Sequence, residues 1–238
     1  AIFSLCKMLW LKQNEPEVYS RTECWLNTAD YIAYRLSGVR ATDYSLASRM
    51  LALNLNDLVW DDELIRTAGL DPKHFAPLVA AGTRLGSIDG EIARTLGLPE
   101  SVSVAAGGHD HICGAMALGV NQPGTLLDSI GTAESLFMPL ARPVTDPQAG
   151  RQGYEMGAHV SGGYYAMPSF RTAGVCIEWF REACTDNADF AVLDAEAVQA
   201  GPGASGVRFL PHLRLPHSPQ NDPQSRGAFV GLSTDVGR

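Results

Sequence analysis

Cysteine is sparse in this sequence and never paired. Cys6, Cys24, Cys113, Cys176 and Cys184 stand far apart with no C-x-x-C spacing, so neither a zinc site nor a disulfide framework is expected. Buried, reduced thiols in a cytoplasmic protein are the expectation instead. No run of about 18 apolar residues and no signal-peptide pattern occurs, so nothing points to membrane insertion or export. Repeats of solenoid period and low-complexity stretches are absent. Positive charge is scarce too. Net charge is −8, with 10 Lys+Arg against 14 Asp+Glu up to Val120 and 8 against 12 beyond it. Without a basic lobe to follow a phosphate backbone, nucleic-acid binding is not expected.

What is present is ordinary soluble composition over 238 residues, enough for one large domain or two modest ones. The chain starts inside an apolar pattern and stops just after a strand-like run, which reads as an internal fragment of a longer protein. Ile2 to Lys12 predicts a helix buried on most sides and ended by Asn14-Glu15-Pro16. Residues 27–37 predict an amphipathic helix capped by Asn27 or Thr28, with Ala29, Ile32, Ala33 and Leu36 on its core face and Gly38 at its stop. Shorter helices are expected from near Asp43, over 61–68 and over 89–96, with extended connections between Phe75 and Ser87. A strand over 101–106 leads to a small-residue helix at 111–119.

Asn121-Gln122-Pro123-Gly124 is the best domain joint, and strands dominate after it. Residues 125–130 and 133–138 predict a hairpin around Gly131-Thr132, 141–152 a polar loop, and 154–160 with 163–167 a second strand pair. Helices follow over 171–183, with Gly174 near the start, and 190–199. Strands over 207–210 and 228–232 flank a loop rich in Pro and His.

Two places carry chemistry. Asp110 follows Gly107-Gly108-His109 beyond a strand, where ligands of α/β proteins collect, so it can serve as a general base; it can equally cap the next helix. Gly131-Thr132 at a hairpin tip can turn amides and a hydroxyl toward an anion, although an ordinary tight turn needs nothing more; Glu134 beyond it can be plain strand surface. His109-Asp110-His111 also admits a metal reading, with the two histidines sharing a face. The other histidines, His74, His159, His212 and His217, give that reading no supporting spacing, which leaves a metallohydrolase the weaker alternative.

The order of several stretches resembles the FGGY carbohydrate kinases, the group of glycerol kinase and xylulokinase. They are Trp10-Leu11-Lys12, Thr42-Asp43-Tyr44-Ser45 with Ala47-Ser48-Arg49, Trp60-Asp61-Asp62, Gly107-Gly108-His109-Asp110 and Gly131-Thr132. Ala173-Gly174 with Glu178-Trp179, Phe209-Leu210-Pro211 and Arg226 to Leu232 complete the set. The resemblance implies an α/β, actin-like (ribonuclease-H-like) ATPase fold of two domains, incomplete at both ends. Residues 1–120 would complete the first domain and 121–238 begin the second, with the active site in the cleft between them. It implies Asp110 as the base that deprotonates a sugar or polyol hydroxyl, with His111 beside it as a substrate contact. Gly131, Thr132, Gly174 and Glu178 would line the ATP site, and Mg²⁺ would accompany ATP.

The family's Asp-x-Gly-Thr phosphate loop and glycine-rich adenine site are both missing, so the fragment alone is expected to bind ATP poorly. Where glycerol kinases offer a tyrosine to substrate, this chain has Ile2, which favours a larger sugar or polyol than glycerol. The sequence itself leaves open a non-catalytic sugar- or nucleotide-binding relative. No membrane partner is expected, and a homodimer is the assembly considered.

Overall fold

The computed structural model describes residues 3–214, 222, 224–234 and 236. Ile2 and His217, which figured in the sequence argument, lie outside the described residues. The chain divides into two compact units. The first holds Ala1–Thr125, Met138–Thr145 and Met156–Ala166; the second holds Leu126–Phe137, Asp146–Glu155 and Met167–Arg238.

The first unit opens with α1 (Ser4–Asn14), α2 (Pro16–Ser20) and α3 (Thr28–Ser37), followed by β1 (Thr42–Asp43) and α4 (Tyr44–Ser48). Pro16 stops α1 and starts α2, since a proline tolerates the first helical position but not an interior one. Asn27 caps α3 in a reciprocal arrangement with Asp30, and Gly38 ends it at φ 74°. Two helical expectations need correction. Only Leu5 and Met8 of α1 are buried, and Trp10 is 55% exposed, because one helical face meets the core. On α3, Ala29 and Ile32 are exposed, while Ala33 and Leu36 pack against Ile88, Ala93 and Val104.

A short hairpin follows, β2 (Leu53–Asn54) with β3 (Val59–Trp60), then α5 (Asp62–Thr67) and β4 (Leu78–Val79), which pairs in parallel with β1. Next come β5 (Arg84–Ser87), α6 (Gly90–Leu96), β6 (Ser103–Ala105) and α7 (Asp110–Ala117). β5 and β6 pair antiparallel with a register shift between Arg84 and Gly86. The main core joins Leu5 and Met8 to Met50, Ala52, Ile65, Leu70 and Phe75, with Trp25 and Trp60 against it. Burying seven such side chains is the main force holding these short elements together.

After Thr125 the chain forms β7 (Leu127–Ile130), β8 (Glu134–Leu140), α8 (Pro147–Arg151), β9 (Tyr154–Ala158) and β10 (Tyr164–Phe170). The sheet order is β7-β8-β10-β9. α8 replaces the loop expected over 141–152. Its cause is local, for Asp146 accepts from the Gln148 amide (2.8 Å) and Pro147 sits in the first turn. Then come α9 (Gly174–Cys184), which starts three residues later than expected, α10 (Phe190–Ala200), and the antiparallel pair β11 (Arg208–Leu210) and β12 (Ala228–Val230). Trp179 stacks on Phe209 at 6.0 Å, and Phe209 on Phe229 at 4.7 Å, giving the second unit a half-buried aromatic stack. The cysteines are free, but Cys6, Cys113 and Cys184 are exposed and only Cys176 is buried. Short side chains on amphipathic helices can fall on either face.

His159, in the turn between β9 and β10, is buried, and its Nδ1 accepts from the Ser161 amide at 3.1 Å. Burial holds its imidazole below the ordinary value of 6.5, opposed by a hydrogen bond to the Val120 carbonyl. A base with a lowered folded-state pKa contributes its full stability above pH 6.5 and loses it as pH falls below that value. Urea midpoints should therefore drop between pH 7.5 and 5.5, and drop less in His159→Asn, whose amide oxygen can replace Nδ1 as acceptor. Identical pH profiles for the two proteins would contradict this.

Candidate functional site

Two groups of residues proposed from sequence take shape, one in each unit. In the first unit, Asp110 is the first residue of α7. β6 ends five residues earlier, so Asp110 stands after a loop and not at a strand tip. Its side chain is 98% exposed. The N-cap of α7 is His109, so Asp110 is not the capping residue; its Oδ1 instead accepts from the His111 amide (2.7 Å) and lies 3.2 Å from His109 Nδ1. His111 follows, half-buried. The alternation that would let His109 and His111 share a strand face is lost with the helix. Among the described residues, no three His, Cys, Asp or Glu side chains come together as a metal site.

The loop before Asp110 is fixed by contact. A Cβ at position 108 would lie 2.4 Å from Val160 Cγ1 and 3.2 Å from both Cys113 Sγ and Ser45 Oγ, so only glycine fits; Gly107 has open space around it. The His109 amide donates to Ser45 Oγ at 2.8 Å, and Ser45 Oγ donates to the buried Asp43 carboxylate at 3.0 Å. The sequence marks the Thr42–Ser45 stretch as a helix start and as part of the FGGY resemblance, but not as a partner of the Asp110 loop. Its bond to a residue 64 positions away leaves no mark in local spacing.

In the second unit, the Gly131-Thr132 turn and the start of α9 meet. Gly174 donates to the Gly131 carbonyl (2.9 Å) and Ala173 to the Thr132 carbonyl (3.1 Å). A Cβ on Gly174 would sit 2.6 Å from Gly131 O. The expectation that Gly131 turns its own amide outward is corrected, because that amide donates within the turn to Ala133 O at 2.8 Å. Among the described residues, Thr132's amide and hydroxyl have no protein acceptor and are the donors this turn offers. Glu178 is one turn along α9, where its carboxylate meets Arg181 at 2.5 Å; that hydrogen bond holds it below the usual carboxylate range. Gly131, Thr132 and Gly174 are thus brought together, and Glu178 stands beyond them on the same helix.

Residues 1–117 match the FGGY family of carbohydrate kinases, N-terminal domain. They belong to that family. Over 97% of its length the chain is 32% identical to the xylulose kinase of Bacillus subtilis, covering 46% of that protein. In structure it is similar to the xylulose kinase of Rhodospirillum rubrum (TM-score 0.88, 27% identity, 99% of this chain and 47% of that one). It is also similar to the gluconate kinase of Lactobacillus acidophilus (TM-score 0.87, 26% identity, 98% and 47%). The mixed α/β fold is that of FGGY sugar kinases, the actin-like ATPase fold. The chain spans about half the length of the curated relatives it matches. No helix among the described residues is long and apolar enough to cross a membrane.

The contact at Gly174 makes a prediction. A methyl group facing a backbone carbonyl at 2.6 Å cannot be accommodated by a side-chain rotation, so Gly174→Ala should displace the Gly131-Thr132 turn. The expected cost is about 1–3 kcal/mol of stability in urea denaturation. An unchanged unfolding midpoint would show that the turn is not braced by α9.

Proposed function

We propose that the whole protein carrying this FGGY chain phosphorylates a sugar or polyol hydroxyl with ATP, Mg²⁺ being bound as part of the ATP substrate, and that Asp110 is the general base. One observation carries the reading. Within the segment that belongs to the FGGY family, Asp110 presents an almost fully exposed carboxylate from the start of α7, after a loop braced by buried groups. A general base must come within hydrogen-bond reach of the hydroxyl it deprotonates, and an open carboxylate at a fixed position suits that.

In this reading the Asp110 carboxylate takes the proton as the hydroxyl oxygen bonds to the γ-phosphorus. The bond from that phosphorus to the bridging oxygen breaks, and ADP leaves. His111, next along α7, contacts the substrate. The Thr132 amide and hydroxyl face phosphate oxygens, with Gly131 and Gly174 forming the close-packed turn that presents them and Glu178 lining the nucleotide site. Such reactions depend mainly on positioning and on charge stabilisation around the transferred group.

Residues 1–120 are proposed as the end of the first domain and 121–238 as the start of the second, with catalysis in the cleft between them. Xylulose is the sugar in the names of several relatives, and a ketose of that size is the proposed substrate. The cytoplasm, where ATP and sugars are both available, is the proposed location.

Asp110→Asn keeps the shape of the side chain and removes the base. In the whole protein, kcat should fall by about 10²–10⁴-fold, the usual contribution of a general base, with the thermal midpoint unchanged. Turnover close to wild type would remove Asp110 from the chemistry.

A further inference from the structure

We infer that Ser45 and Asp43 are positioning residues for Asp110, holding the base loop through a relay of hydrogen bonds from the core. This rests on Asp110 being the base and adds what fixes it. With a side chain 98% exposed, Asp110 has almost no packing of its own, so its location is set by the backbone that carries it. That backbone is bonded at the preceding residue. The His109 amide donates to Ser45 Oγ (2.8 Å), whose own hydrogen goes to Asp43 Oδ1 (3.0 Å).

Ser45 and Asp43 are each no more than 1% exposed. The Asp43 carboxylate is itself held, with Oδ2 accepting from the Ser45 amide and Oδ1 from the Leu46 amide, both at 2.9 Å. One hydroxyl must therefore accept from the loop and donate to the carboxylate. In a water-poor interior such chained bonds reinforce each other, and a partner left unsatisfied is costly. The same short helix, α4, also accepts the Ala158 amide on Ser48 Oγ at 2.9 Å. Val160, two residues further on, packs against Gly108, where a Cβ would meet both Val160 and Ser45. The loop thus contacts both α4 and the segment following β9.

The chemistry predicts which substitutions are tolerated. Threonine keeps the hydroxyl, alanine removes both bonds, and cysteine keeps the size but hydrogen-bonds weakly. In the whole protein, Ser45→Ala should lower kcat roughly 10- to 100-fold, as expected when a reacting group is misplaced by about an ångström, while KM for sugar and ATP stays unchanged. Ser45→Thr should recover most of the loss, and Ser45→Cys should fall between them, which keeps the test alive if the alanine variant fails to fold. Amide hydrogen exchange at His109 should be slow in the wild type and in Ser45→Thr, and fast in Ser45→Ala and Ser45→Cys. A folded Ser45→Ala enzyme with wild-type kcat, beside an impaired Asp110→Asn, would overturn this inference alone. Full activity in Asp110→Asn would overturn the base assignment and this inference with it. A threonine variant as impaired as the alanine one would also overturn the relay.

Discussion

A buried carboxylate anchors the loop before Asp110 in the first unit. Asp43 sits in the interior with its oxygens satisfied by two amides and one hydroxyl, so its burial carries hydrogen bonds in place of lost water. Through Ser45 it reaches the loop that ends in Asp110. The arrangement separates two tasks. The inner carboxylate is dry, multiply bonded and suited to holding position; the outer one is open to solvent and held only by its neighbours His109 and His111. Gly108 makes this separation workable, because any side chain there would push the loop away from Val160, Cys113 and Ser45 together.

The Gly131-Thr132 turn of the second unit is held differently, by main chain against main chain. The carbonyls of Gly131 and Thr132 accept from successive amides at the start of α9, so a hairpin turn is stitched to a helix without a side chain between them. That stitching needs the missing Cβ of Gly174. Behind it, Thr172 donates to the Pro211 carbonyl, and Trp179, Phe209 and Phe229 stack from α9 onto β11 and β12. The aromatic ladder fixes the helix, the helix fixes the turn, and the turn directs the donors of Thr132.

Much of this was legible in the sequence, for identifiable reasons. The hairpin around Gly131-Thr132, the stop at Gly38 and the helix after Asp61 were all signalled by local chemistry acting over a few residues. The FGGY resemblance rested on ordered short stretches, and the family match over residues 1–117 bears it out. The misreadings are equally instructive. Proline and polar residues over 141–152 look like breakers, yet Asp146-Pro147 is a helix start. The apolar spacing of α3 predicts a core position for Ile32, which is exposed, since periodicity shows that a face is apolar without showing what covers it. The bond from His109 to Ser45 spans 64 residues, and no spacing rule could have found it.

The central claim is that the chain supplies the base and the phosphate-binding turn of a sugar kinase. The most direct measurement follows ³²P from the γ-position of ATP into sugar when the whole protein is given xylulose and Mg²⁺. The account predicts labelled sugar phosphate formed in step with ADP, one for one. ADP release without labelled product, or no turnover with xylulose or with any other ketose, aldose or polyol, would contradict it.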